Sequence, residues 1–107
     1  MFVVSRFDID PAESADFLDR AQSALAAFAA RPGYRSGRVG RSLDDPALWT
    51  ITTAWENVGA YRRALSDFDV KIHAATLLGL ARDEPSSFET LVYDDGVQTV
   101  TATSDRA

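Results

Sequence analysis

The chain has no cysteine and a single histidine, His73. Without thiols there is no disulfide scaffold, no thiolate metal site and no cysteine nucleophile. With one imidazole, a transition-metal site would rest on carboxylates, and none stand at ligand spacing, so no metal is expected. No glycine-rich phosphate loop follows a strand, and there is no nucleophile elbow. Nucleotide cofactors and hydrolytic triads are therefore not expected, nor is any other cofactor. The longest apolar run, ALAAFAA at 24–30, is far too short to span a bilayer. The opening MFVVSRFDID lacks a basic leader, a full hydrophobic region and a cleavage site, so no signal peptide is expected and the cytoplasm is favoured. Positive charge is in deficit: the net charge of −5 argues against nucleic acid and anionic membranes as partners.

What is present suits one globular domain. A hydrophobic content of 46% with 25% charged residues in 107 positions argues against disorder. The organising stretch is LWTITTAWENVGAYRRALSDFDVKIH at 48–73. It begins with a β-branched run whose alternation puts Trp49, Ile51, Thr53 and Trp55 on one side. At Glu56-Asn57 the apolar period changes from two to about three and a half, with Val58, Tyr61, Leu65 and Phe68 spaced 3, 4, 3. Asn57 suits an N-cap. A strand therefore runs straight into a helix, with Trp55 at the corner.

The remaining elements follow in order. Residues 2–9 read as a strand, apolar on both sides. Asp10-Pro11 opens a helix, with Asp10 as cap and Pro11 at the first position. Leu18, Ala21, Leu25 and Phe28 form its expected buried stripe, and Arg31-Pro32-Gly33 ends it. YRSGRVGRSL at 34–43 reads as a second strand whose Gly37 and Gly40 suggest bulges or close backbone approach. Asp44-Asp45-Pro46 turns into the third strand. After a break near Ser66–Asp69, a further helical piece covers Val70–Ala81, and a last strand covers Phe88–Tyr93. The order β-α-β-β-α-β predicts an α+β, ferredoxin-like split fold, an antiparallel sheet with helices on one face, over residues 1–93. Residues 94–107 form a tail suited to an extra strand, an arm laid on a partner, or a frayed end.

Helices cover only one side of such a sheet, yet the first and third strands carry apolar residues on both. A solvated face should alternate more cleanly. Sheet-on-sheet packing in a two-fold homodimer is the expected remedy.

Three pieces of the chain resemble one family: PGY at 32–34, the Trp55-Glu56-Asn57 corner followed by Ala60-Tyr61, and Phe88-Glu89 at the start of the last strand. They are similar to the antibiotic biosynthesis monooxygenase (ABM) domain family. The resemblance implies a dimeric α+β barrel with a pocket between helices and sheet in each subunit. It also implies small-molecule chemistry such as cofactor-free oxidation of polycyclic phenols to quinones, or haem degradation. In quinone-forming members an Asn precedes the corner Trp by four residues and a Tyr follows it by six. Trp55 and Tyr61 match, whereas Ile51 stands at the Asn position. In haem-degrading members an Asn on the first strand and a Trp on the second helix join a His. Here Ser5, Arg6 and Phe7 surround the first position, Ala64 stands near the second, and only His73 falls near the third.

The candidate site residues follow from these positions. His73 is the one side chain that titrates near neutrality and is the candidate general base, with Asp69 four residues earlier to orient it. A solvent-facing histidine is the plain alternative. Tyr61 can hold a substrate oxygen or merely reach water from the rim of the core. Trp55 suits a pocket wall with an indole N–H donor, or a core aromatic burying on the order of 200 Å². Phe68 and Leu77 would shape the pocket, and Arg38 would meet an anionic group or solvent. Three readings result: a cofactor-independent monooxygenase acting on an aromatic or polyketide-like molecule, a haem-binding or haem-degrading protein with His73 as ligand, and a non-catalytic binding or assembly module.

Overall fold

The computed structural model describes residues 1–102; residues 103–107 of the expected tail lie outside the described part. Strands β1 (Phe2–Asp8), β2 (Tyr34–Arg41), β3 (Leu48–Trp55) and β4 (Ser87–Phe88) form one antiparallel sheet in the order β2-β3-β1-β4. Between β1 and β2 come a 3₁₀ turn (Pro11–Glu13) and α1 (Ser14–Ala29). After β3 come α2 (Val58–Leu65), α3 (Phe68–Val70), a π-helical turn (Lys71–Ala75) and α4 (Thr76–Leu78). This is the α+β, ferredoxin-like arrangement expected. No helix of the described residues is long and apolar enough to cross a membrane.

The punctuation works through its chemistry. Asp10 accepts from the Ala12 amide at 2.9 Å, and Asn57 accepts from the Ala60 amide at 2.8 Å, each satisfying a donor that the first turn leaves unpaired. Strand alternation sends Val3, Ser5 and Phe7 of β1, with Trp49, Ile51, Thr53 and Trp55 of β3, under the helices. Phe17 and Phe28 of α1 and Val70, Ala74 and Leu77 of the later helices close the core from above.

Two helical stripes differ from expectation. In α1 the large inward residue is Phe17, not Leu18, which stays 39% exposed. The Phe17 ring wedges between Phe7 and Trp49, with centroids 5.1 and 5.3 Å away, and this aromatic packing sets the rotation of the helix. In α2 the buried residues are Ala60 and Ala64, while Val58 and Leu65, with Phe68 of α3, are exposed. The chain comes so close to Ala60 at Gly33 that this inner position takes a small residue.

The last strand is also shorter than expected. Residues 82–88 run back along β1, with the Arg82 amide donating to the Arg6 carbonyl and the Val4 amide to the Ser86 carbonyl. Pro85 has no N–H to give to this ladder, and β1 begins at Phe2, which pairs with Phe88. Past Phe88 there is no strand left to join. The chain pairs with itself instead, as a hairpin of β5 (Val92–Asp94) and β6 (Thr99–Thr101) around a turn with Gly96 at φ +87°. Asp95 accepts from the amides of Val97 and Gln98, both at 2.8 Å.

The face turned away from the helices carries Phe2, Val4 and Arg6, then Thr50, Thr52 and Ala54, then Ser36 and Arg38. Phe88 stacks on Phe2 there at 5.4 Å. Its apolar part is thus concentrated at the Phe2–Val4–Ala54–Phe88 corner, with threonines beyond.

Candidate active site beside Trp55

Trp55 is set by its position as the last residue of β3. Its ring meets Phe28 at 5.7 Å, Tyr34 at 5.4 Å and Tyr61 at 5.5 Å, an aromatic cage drawn from α1, β2 and α2. It is 3% exposed, and its indole Nε1 donates to the Thr53 hydroxyl at 2.9 Å. That N–H is therefore already engaged within the protein. Tyr61 is half-buried beside it, and burial raises its hydroxyl above the usual tyrosine range. At ordinary pH it is a neutral hydrogen-bonding group.

The sequence-derived candidates fall into separate places. Trp55 and Tyr61 pack together. His73 and Leu77 share a groove of about 180 Å³ with Asp19, Arg20 and Thr76, between α1 and the π-helical turn. Asp69, the proposed orienter, is not among that groove's lining residues. Phe68 is 74% exposed. Arg38 is exposed and registers with Thr52, whose strand neighbours Ile51 and Thr53 are buried, so it lies on the far face of the sheet. The groove at His73 falls below the roughly 300–1,000 Å³ typical of small-molecule sites.

Trp55 also borders a larger cavity, of about 550 Å³, with Arg35, Glu56, Thr90, Tyr93 and Val100. Its floor is the end of the sheet at Ser36 and Ala54, and one wall is the β5–β6 hairpin. This volume lies within the small-molecule range. Arg35, Glu56 and Tyr93 were not among the residues singled out from the sequence. The glycine-weakened second strand hinted at a bulge, and one does lie between Tyr34 and Ser36. Nothing in the sequence showed that Tyr93, expected in the last strand of the main sheet, would instead stand in a separate hairpin beside the cavity.

The family model described as antibiotic biosynthesis monooxygenase matches residues 1–71. The chain belongs to the antibiotic biosynthesis monooxygenase family. Among solved structures, this ABM chain is similar to a variant of SnoaB, a cofactor-independent oxygenase from Streptomyces nogalater. The identity is 29% and the TM-score 0.65, covering 75% of this chain and 81% of that one. It also matches an antibiotic biosynthesis monooxygenase-like protein of Deinococcus radiodurans (20% identity, TM-score 0.68, covering 84% and 92%). A conserved protein of Methanosarcina mazei Go1 matches at 19% identity and TM-score 0.66, covering 80% and 84%. The last two likenesses show the fold alone. No curated protein matches the sequence.

Proposed function

We propose that the chain is a cofactor-independent monooxygenase, a cytoplasmic homodimer that oxidises an aromatic or polyketide-like molecule in the cavity beside Trp55. One observation carries the reading: a chain of the ABM family, 29% identical to a cofactor-independent oxygenase, has a cavity of about 550 Å³ against its corner tryptophan. An electron-rich phenolic ring, once deprotonated, can pass electrons to O2 itself. For an anthrone-type carbon, both C–H bonds break, one oxygen atom enters as the carbonyl and the other leaves as water. The substrate supplies all four electrons. The protein is then required to hold the ring, favour the anion and limit water. The Phe2–Val4–Ala54–Phe88 corner supports sheet-face dimerisation, and because the cavity floor at Ala54 shares that face, the cavity stands at the seam between the two subunits.

Oxygen consumption with anthrone-type phenols tests the activity. Trp55→Phe is expected to slow it by loosening the aromatic packing with Phe28, Tyr34 and Tyr61 at the cavity's edge. His73→Ala is the contrast, since His73 stands in the other groove. If His73→Ala abolishes turnover while Trp55→Phe retains it, the chemistry belongs at the π-helical turn and this reading fails. Sedimentation at micromolar concentration tests the dimer, and a monomer there refutes it.

A further inference from the structure

The β5–β6 hairpin is a two-stranded ribbon that joins no other described strand of its own chain. Such a ribbon is marginal in water by itself, because a third strand or a helix is ordinarily needed to hold it. Its Val92, Tyr93 and Val100 are nevertheless between 48% and 62% exposed. The cavity separates Tyr93 and Val100 from Ser36 and Ala54 on the helix-free face, so the hairpin stands off that face rather than on it. In sheet-on-sheet packing the next layer, about 10 Å away, is the partner's sheet.

The main sheet ends in an open edge. β2 is its outermost strand, eight residues long, and no described strand pairs with its outer side. At the other edge β4 has only two residues. A long open edge offers its free amides and carbonyls to another extended chain. This edge is also basic: YRSGRVGR carries Arg35, Arg38 and Arg41 and no acid, in a chain of net charge −5. Arg38 is exposed and enters none of the ion pairs among the described residues, which belong to Arg6, Arg31 and Arg82. The hairpin is the reverse, since VYDDGVQTVT carries Asp94 and Asp95 and no basic residue. The Thr99 hydroxyl and the Gly96 amide hold Asp94 below the usual carboxylate range, and the Gln98 and Val97 amides do the same for Asp95. Both stay charged.

We propose that the β5–β6 hairpin of each copy pairs with the β2 edge of the other and continues its sheet, so that the wall of each Trp55 cavity is anchored on the opposite subunit. Main-chain hydrogen bonds along the added strand supply the affinity. Charge supplies the choice of partner: β2 against β2 would set arginine against arginine, whereas β2 against the hairpin sets arginine near aspartate. The inference rests on the two-fold dimer proposed above and adds to it the element that fastens the two copies.

The chain has no cysteine, so a thiol introduced singly can form a disulfide only between two molecules. Full-length chains with Tyr93→Cys or Val100→Cys, one on each hairpin strand, are mixed with chains of different mass carrying Ser36→Cys or Arg38→Cys, then oxidised. Unlike chains are expected to link in at least one combination, since paired strands bring facing Cβ atoms to about 4.5–5.5 Å. Gly96 sits at φ +87° with open space where a Cβ would stand, so Gly96→Pro spoils the hairpin turn without touching the rest of the fold. In sedimentation it is expected to raise the dimer dissociation constant at least about 10-fold, and added to the cysteine chains it should abolish the link. An unchanged helical circular dichroism signal in Gly96→Pro separates a lost hairpin from a lost fold. Disulfides between like chains only, no disulfide in any combination, or a Gly96→Pro dimer as tight as the parent would each overturn the proposal. The two readings fail separately: a monomeric parent refutes the sheet-face dimer itself, and a parent dimer without unlike links refutes the hairpin's part in it.

Discussion

A Cβ placed on Gly33 would stand 2.5 Å from the Cβ of Ala60. Gly33 has φ +85°, in the left-handed region, and its carbonyl accepts from the Glu56 amide at 2.7 Å. This one residue reverses the chain after α1, brings it against α2 and pins the end of β3. Gly33→Ala is expected to cost about 1–2 kcal/mol for the backbone conformation and about 1–3 kcal/mol for overpacking. Urea unfolding measures the sum. Adding Ala60→Gly should return only the overpacking part. A Gly33→Ala variant as stable as the parent would show that α2 does not pack this closely.

The Thr53 hydroxyl is the acceptor for the Trp55 indole inside the core, where both residues are buried. Thr53→Val keeps the shape and removes the acceptor. A buried donor without a partner costs about 1–3 kcal/mol, so unfolding should shift by that amount. Tryptophan emission should also change, because the polar contact of one indole is lost. No shift in either would mean that the indole finds another acceptor.

The sequence made the corner at Trp55 legible, because the period changes within two residues there and Asn57 has only one good use. It did not reveal the inner face of α2. A hydrophobicity pattern ranks Val58, Leu65 and Phe68 above Ala60 and Ala64, whereas both alanines are buried and the close approach at Gly33 leaves room only for a small residue at Ala60. The glycines of β2 were informative: a Cβ on Gly37 would meet the Tyr34 hydroxyl at 2.4 Å and Leu25 at 2.5 Å, the close approach expected. The π-helical turn at Lys71–Ala75 left no mark in a reading that assumes 3.6 residues per turn. The cavity was hidden for a different reason. Its residues come from the bulge at Arg35 and from a hairpin some sixty positions later, and only tertiary folding brings them together.

Tyr61 gives a stability signature at high pH. Burial holds its pKa in the folded chain above the usual value near 10. The unfolded chain therefore loses this proton first as pH rises. The neutral hydroxyl's contribution is complete below the unfolded pKa and disappears as pH climbs through the folded one. Burial raises Tyr34 in the same direction, so the two act together. Tyr61→Phe is expected to flatten, without abolishing, the loss of stability above about pH 10. Urea midpoints at pH 8 and pH 10.5 measure this, and identical pH dependence in parent and variant would place Tyr61 in water.

Asp8 and Arg82 give the corresponding signature in acid. Arg82 reaches back across 74 positions and holds the carboxylate with two bonds, Nε to Oδ2 at 2.8 Å and Nη2 to Oδ1 at 2.6 Å. The hydrogen bond and the positive charge of Arg82 lower the Asp8 pKa. A carboxylate with a depressed folded pKa stabilises the fold above its unfolded pKa, near 4, and loses that effect as pH falls through the folded value. The pair is solvent-exposed, so the effect is small and screened by salt. Its structural role is to fasten the chain after α4 to the end of β1, ahead of the turn into β4, together with the bond from the Arg82 amide to the Arg6 carbonyl. Asp8→Asn is therefore expected to lower stability modestly at pH 7 and low ionic strength. The difference from the parent should shrink in 1 M salt and fade as pH falls below the ordinary aspartate value near 4 and through the lower folded one. A deficit that persists at low pH would mean that Asp8 acts through its backbone environment rather than through its charge.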